Sequence, residues 1–113
     1  MKHDFSLSAA ETRYSQMRRQ LAQTGWISQG YVQNRGPGAG GPCYQWTRKV
    51  RAKTVSVALS KEQYQWLKAA IDNWRTLQAA LKEMQKLSRQ VLFTTVPNPS
   101  RRKRLGKRTL GLI

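Results

Sequence analysis

An α+β fold is what this sequence predicts: an N-terminal helix, a three-stranded antiparallel sheet, a long C-terminal helix and a basic disordered tail. Three observations carry that expectation. Apolar residues recur at steps of three and four near the N-terminus and again from residue 59 to 93, the pattern of a helix face. Between them, residues 27–59 alternate apolar and polar side chains around a Gly- and Pro-rich interruption. After Pro97 and Pro99, six of the eight residues Arg101–Arg108 are Lys or Arg, and so dense a run of like charge does not collapse on itself. The organisation expected is one domain over 1–93, with a Pro-containing linker and tail over 94–113.

The first helix opens at Ser8-Ala9-Ala10-Glu11, read as a Ser-x-x-Glu capping box. Leu7, Ala10, Tyr14, Met17 and Leu21 draw one stripe along it, with Arg13, Arg18 and Arg19 off that stripe. Thr24-Gly25 closes it, Gly25 supplying a left-handed stop. The first strand is expected over Ile27–Gln33, interrupted by Gly30. Gly36-Pro-Gly-Ala-Gly-Gly-Pro42 offers almost no side chains to pack and reads as a loop. Strand two, Tyr44–Val50, sets Tyr44, Trp46 and Arg48 against Gln45, Thr47 and Lys49. Strand three, Lys53–Leu59, sets Val55, Val57 and Leu59 against Thr54, Ser56 and Ala58. The link at Arg51-Ala52 is short enough for a hairpin but lacks the Asn-Gly that tight hairpins favour.

The last element has the strongest local signal. Ser60-Lys61-Glu62-Gln63 is a capping box, and Leu59 with Tyr64 forms a hydrophobic staple. No Gly or Pro follows until after Phe93. Heptads counted from Leu67 place Leu67, Trp74, Leu81 and Ser88 in one seam row and Ala70, Leu77, Met84 and Val91 in the other. Seven of these eight are apolar, more than a three-stranded sheet covers. The surplus face therefore needs the first helix or the same helix of a second copy. Leu67, Trp74, Leu77, Leu81 and Met84 are the packing or oligomer residues expected on this ground.

Charge limits the choice of partner. The chain carries 21 Lys or Arg against five acids, a formal +16 on 113 residues, and residues 27–59 contain no acid at all. Such self-repulsion points to a polyanionic partner, nucleic acid before an anionic membrane, because no segment reads as a membrane-surface helix. No run is long and apolar enough to span a membrane, and Met-Lys-His-Asp does not begin a signal peptide. One cysteine, Cys43, fits a reducing compartment, so a cytoplasmic location is expected. One histidine, His3, with the scattered acids Asp4, Glu11, Glu62, Asp72 and Glu83, supplies neither a metal site nor a catalytic constellation. The expectation is a protein without cofactor or enzymatic activity.

Two basic regions are the candidate contacts. In the strand region, Arg35, Arg48, Lys49, Arg51 and Lys53 interleave with Tyr31, Tyr44 and Trp46. A basic hairpin bearing aromatics can grip phosphates while its rings meet bases. Trp46 reads better as a core residue facing the long helix, with Arg48 at the rim of that face and Tyr44 open to either role. In the tail, Arg101, Arg102, Lys103, Arg104, Lys107 and Arg108 form a phosphate-binding arm or a solubilising extension. The glycine loop serves as readily as a connector as a phosphate nest. Lys68, Arg75, Lys82, Lys86 and Arg89 form a further basic strip along the long helix.

Three segments together carry a resemblance. They are Gly30-Tyr-Val-Gln-Asn-Arg35, then Gly41-Pro-Cys-Tyr-Gln-Trp-Thr-Arg48 after a Gly-rich loop, then Lys53-Thr-Val-Ser-Val-Ala-Leu-Ser-Lys-Glu-Gln63 leading into a helix with Trp74-Arg75. Over roughly residues 15–93 the chain resembles an uncharacterised family of short bacterial and archaeal proteins, often encoded beside transposases or in other mobile elements. Family members often carry a Cys-rich knuckle in the loop, where this chain has glycines and Cys43 alone, so a zinc knuckle does not carry over. The resemblance implies an accessory protein of a mobile element that binds DNA, with a transposase or other mobile-element protein as a possible partner. Two rival readings stand beside it. One is an RNA- or ribonucleoprotein-binding protein. The other is a helical oligomerisation adaptor whose charge meets an acidic protein.

Overall fold

The computed structural model describes residues 5–38 and 40–113, so His3 and Asp4 lie outside the described residues. It contains α1 (Leu7–Ala22), β1 (Tyr31–Asn34), β2 (Tyr44–Val50), β3 (Lys53–Leu59) and α2 (Lys61–Thr95), the expected α+β order. No helix among the described residues is long and apolar enough to cross a membrane. The sequence draws a boundary near residue 93. The contacts draw it elsewhere, grouping residues up to Gln23 with Gln78–Ile113 as one compact unit and Thr24–Leu77 as another.

In the Thr24–Leu77 unit the strand order is β1-β2-β3, both pairings antiparallel. Tyr31 lies opposite Thr47, and Thr47 opposite Ser56; Val32 lies opposite Trp46, and Trp46 opposite Val57. Strands β2 and β3 have the bounds that the alternation predicts. Strand β1 starts four residues later than expected, because the preceding backbone is bonded to α2 instead of β2. The Ser28 amide donates to the Ala70 carbonyl at 3.2 Å, and Asn73 Nδ2 donates to the Trp26 carbonyl at 2.9 Å. One sheet face meets the first half of α2. Tyr44 stacks on Tyr64 with ring centroids 4.9 Å apart, and Trp46, Val57 and Leu59 share a groove with Gln63, Trp66 and Leu67. Ala70 and Ile71 are the buried residues of this half of the helix.

In the other unit, Met17 of α1 is buried with Ala80 and Met84 of α2, ringed by Tyr14, Leu21 and Leu87. The surplus face of the long helix is therefore met, over this stretch, by the first helix of the same chain. Each half of α2 has its own partner, so one heptad register does not describe all of it. Ala70, Leu77, Met84 and Val91 are buried or half-buried throughout. In the other row Leu67 and Trp74 are half-buried, but Leu81 is 37% exposed and Ser88 is exposed, their places inside taken by Ala80 and Leu87.

The helix ends correct two expectations and support a third. Helix α1 is capped by Ser6, whose Oγ accepts from the Ala9 amide at 3.1 Å, so Ser8 lies inside the helix. Both serines are competent caps, and the earlier one adds a half-turn that carries Leu7. The helix closes on Gln23 in right-handed conformation, and Gly25 is not left-handed. Gly25 matters for space: a Cβ there would lie 3.2 Å from the Asn73 amide nitrogen that holds Trp26. At α2 the capping box forms reciprocally, Gln63 N to Ser60 Oγ at 3.1 Å and Ser60 N to Gln63 Oε1 at 3.0 Å.

The tail departs from the featureless arm expected over 94–113. Residues 106–112 form a turn ending in a Schellman motif, with Leu112 N bonded to Lys107 O at 2.9 Å and Gly111 N to Arg108 O at 3.1 Å. Gly111 takes the left-handed conformation at φ 72° that the motif requires. Arg89 Nη1 donates to the Gly111 carbonyl at 3.3 Å, and Leu110, Gly111 and Leu112 are half-buried.

Candidate nucleic-acid interface

The β2–β3 hairpin closes through Arg51 and Ala52, which follow the last cross-strand pair, Val50 with Lys53. Both turn residues have positive φ, 50° and 65°. A two-residue hairpin of this kind needs left-handed conformation at both positions because only then does the turn match the strand twist. Asn-Gly adopts it readily; a residue with an ordinary side chain pays about 1–2 kcal/mol. The tip of this sheet therefore stores strain at an arginine and an alanine. Lys49, Arg51 and Lys53 are all exposed around it.

Behind the tip, Arg48 is half-buried and lies over the Trp46 ring, its guanidinium carbon 4.2 Å from the ring centroid. The indole N–H donates to the Gln29 carbonyl at 3.0 Å. Gly30 is held at φ 116°, and a Cβ there would collide with the indole nitrogen and come within 3.0 Å of the Thr47 carbonyl. Ser28, Gln29, Gly30, Trp46, Arg48 and Lys49 together line a shallow cleft. Trp46 thus joins the helix-facing groove, as its alternation predicts, and also orients a cation at the rim.

Other predicted positions fall away from the tip. Tyr44 stacks on Tyr64 against α2 and is a packing residue, not a contact to a ligand on the open side. Arg35 follows β1, its amide bonded to the Cys43 carbonyl at 2.7 Å, and its guanidinium lies beside Gly41 in the glycine loop. Gly36, Gly38, Gly40 and Gly41 of that loop all have positive φ. Cys43 is half-buried, its Sγ 3.7 Å from Asn34 Oδ1.

The tail cations divide. Arg102 is exposed but engaged, bonded to Asn98 Oδ1 at 2.6 Å with its guanidinium 5.5 Å from the Phe93 ring centroid. Arg101, Lys103, Arg104, Lys107 and Arg108 are exposed. They lie on a segment tied at its start by the Asn98–Arg102 bond and at its end by the Arg89–Gly111 bond. Arg89 belongs to this clasp, reaching Gln85 Oε1 at 3.3 Å as well, and is lost from the basic strip.

Two features went unread in the sequence, and a third, Gly30, was read only as a strand interruption. Leu110-Gly111-Leu112 carried the signal of the Schellman turn, an apolar residue either side of a glycine. Gly30 carried a signal too, a glycine inside a strand pattern, which often marks close approach by another group. Trp26 and Trp66 did not: they form an exposed pair with centroids 6.4 Å apart, at 75% and 55% exposure, visible only once Asn73 is seen to hold the Trp26 backbone. Compared with family models, curated proteins and solved structures, the chain finds no match.

Proposed function

We propose that this protein binds nucleic acid through the phosphate backbone, DNA first, with the β2–β3 hairpin as the fixed contact and the basic tail loop as a second. One observation carries the reading: a strained two-residue tip, Arg51-Ala52, framed by exposed Lys49 and Lys53. Strain of this kind persists where the surrounding structure over-determines it and clusters at sites of function. A residue that relieves the strain, Asn at position 51, would remove the cation at the apex. The charge supports it: within 24–77, eight Lys or Arg stand against Glu62 and Asp72, a net +6. The accessory role in a mobile element belongs to the same proposal and rests on the resemblance over 15–93.

The test compares duplex DNA, hairpin RNA and single-stranded DNA at matched ionic strength. The wild type, the Lys49→Gln/Arg51→Gln/Lys53→Gln variant and a chain lacking residues 100–113 are titrated side by side. The hairpin variant should lose affinity unequally across the three targets, because its cations are held on a sheet. A preference that shifts only on tail deletion would place the selective surface in the tail. Crosslinking in the native host, with bound DNA and RNA sequenced in parallel, tests the mobile-element setting.

A further inference from the structure

The sheet has a second face, and its composition differs from the rest of this surface. Opposite the face that meets α2 lie Tyr31, Gln33, Gln45, Thr47, Lys49, Thr54, Ser56 and Ala58, by strand alternation and register. Tyr31 is 57% exposed, Gln33, Lys49, Thr54, Ser56 and Ala58 are exposed as well, and Gln45 and Thr47 on the central strand are half-buried. On a chain with 21 cations this face holds one, Lys49, at the tip end, and no acid. Its middle is uncharged and rich in hydrogen-bonding groups: Gln33 directly opposite Gln45, and Thr47 bonded to Ser56 through their hydroxyls at 3.2 Å. Cations stand at the margin, Arg51 and Lys53 at the tip and Arg35 just past the end of β1.

We infer that this open face enters the major groove of B-form DNA and reads base edges, with Gln33 and Gln45 as the principal readers. The inference rests on the nucleic-acid reading and narrows it to a duplex and a groove. Neutral amide and hydroxyl groups flanked by cations mirror a groove, whose floor is donors and acceptors and whose walls are phosphates. The dimensions agree. The major groove, about 12 Å wide, admits two adjacent strands about 4.8 Å apart, and β1 and β2, which carry Gln33 opposite Gln45, are that pair. Two residues along a strand advance about 6.8 Å, the rise of two base pairs. A glutamine amide matches adenine N6 and N7 as a bidentate pair, and the Thr47 methyl suits the thymine methyl. The deep, narrow major groove of an A-form RNA helix does not admit such a face.

The test selects from duplexes with a randomised core, using the full-length chain. The wild type should enrich an adenine-containing core and prefer it over a scrambled duplex by about 5- to 150-fold, the discrimination expected of one good bidentate pair. Gln33→Ala/Gln45→Ala should bring that preference close to one while affinity for the scrambled duplex and its salt dependence stay unchanged. Gln33→Thr/Gln45→Thr, made of strand-favouring residues, repeats the measurement should the alanine variant lose its circular dichroism signature. Replacing adenine by 7-deazaadenine in the enriched core removes the N7 acceptor and should weaken the wild type alone. No enriched core, a preference that survives both variants, or an equal preference for duplex RNA would overturn the inference while leaving phosphate binding intact. No binding to any duplex would overturn both.

Discussion

Replacing Arg51-Ala52 by Asn-Gly should make this protein more stable and a weaker binder at once. Both residues sit at positive φ, 50° and 65°, where an ordinary side chain costs about 1–2 kcal/mol per residue. Asn and Gly relieve most of that cost, about 2–4 kcal/mol for the pair, and the added glycine returns about 1 kcal/mol as unfolded-chain entropy. The net gain is about 2 kcal/mol. With about 2.1 cal/mol/K of unfolding entropy per residue over 113 residues, the melting temperature should rise by about 8 °C. Thermal unfolding followed by circular dichroism measures it. The same variant lacks one cation, so its log–log salt slope on duplex DNA should shrink by about 0.9. Ala52→Gly alone, which keeps every charge, should raise the melting temperature by less and leave the slope unchanged. A melting temperature equal to or below that of the wild type would refute the claim that the tip is strained, and with it the reason for regarding the tip as selected for binding.

Further predictions concern the packing around the interface. Gly30→Ala forces a side chain onto the Trp46 indole at a left-handed position and should cost about 2–4 kcal/mol, read as a lower urea midpoint. Met84→Asp buries a charge beside Met17 and should cost about 3 kcal/mol or more, whereas Leu81→Asp, at a 37% exposed position, should cost under about 1 kcal/mol. Arg89→Ala removes the bond to Gly111 and should speed amide exchange over residues 106–112 while exchange in α1 stays as it was.

Much of the fold was legible because its signals are local. The alternation of Tyr44–Val50 and Lys53–Leu59 gave both strands to the residue, and Ser60 with Gln63 marked where α2 begins. Sequence failed where a distant partner decides. The start of β1 depends on Ala70 and Asn73, more than 40 residues away, which take the hydrogen bonds of Ser28 and Trp26. Leu81 fits the heptad as well as Leu77 does, and only the change of partner along α2 leaves it exposed. At the candidate site, Lys49, Arg51 and Lys53 were identifiable from charge and position. Their strain was not, since nothing about Arg-Ala announces left-handed geometry. Tyr44 stays open to either role in the sequence because composition cannot say which way a ring turns, and Tyr64 claims it in the folded chain.

The account stands on nucleic-acid binding through cations held at the hairpin, and the salt dependence of affinity tests that most directly. Fluorescence anisotropy of a labelled DNA duplex should be titrated between about 50 and 300 mM monovalent salt, for the wild type and for Lys49→Gln/Arg51→Gln/Lys53→Gln. Each phosphate neutralised contributes about 0.9 to the log–log slope, so the three hairpin cations should account for about 2.7 of it. The prediction is tight binding at low salt, a steep slope for the wild type and a slope shallower by that amount for the variant. No binding at 50 mM salt, or identical slopes for the two proteins, would contradict it.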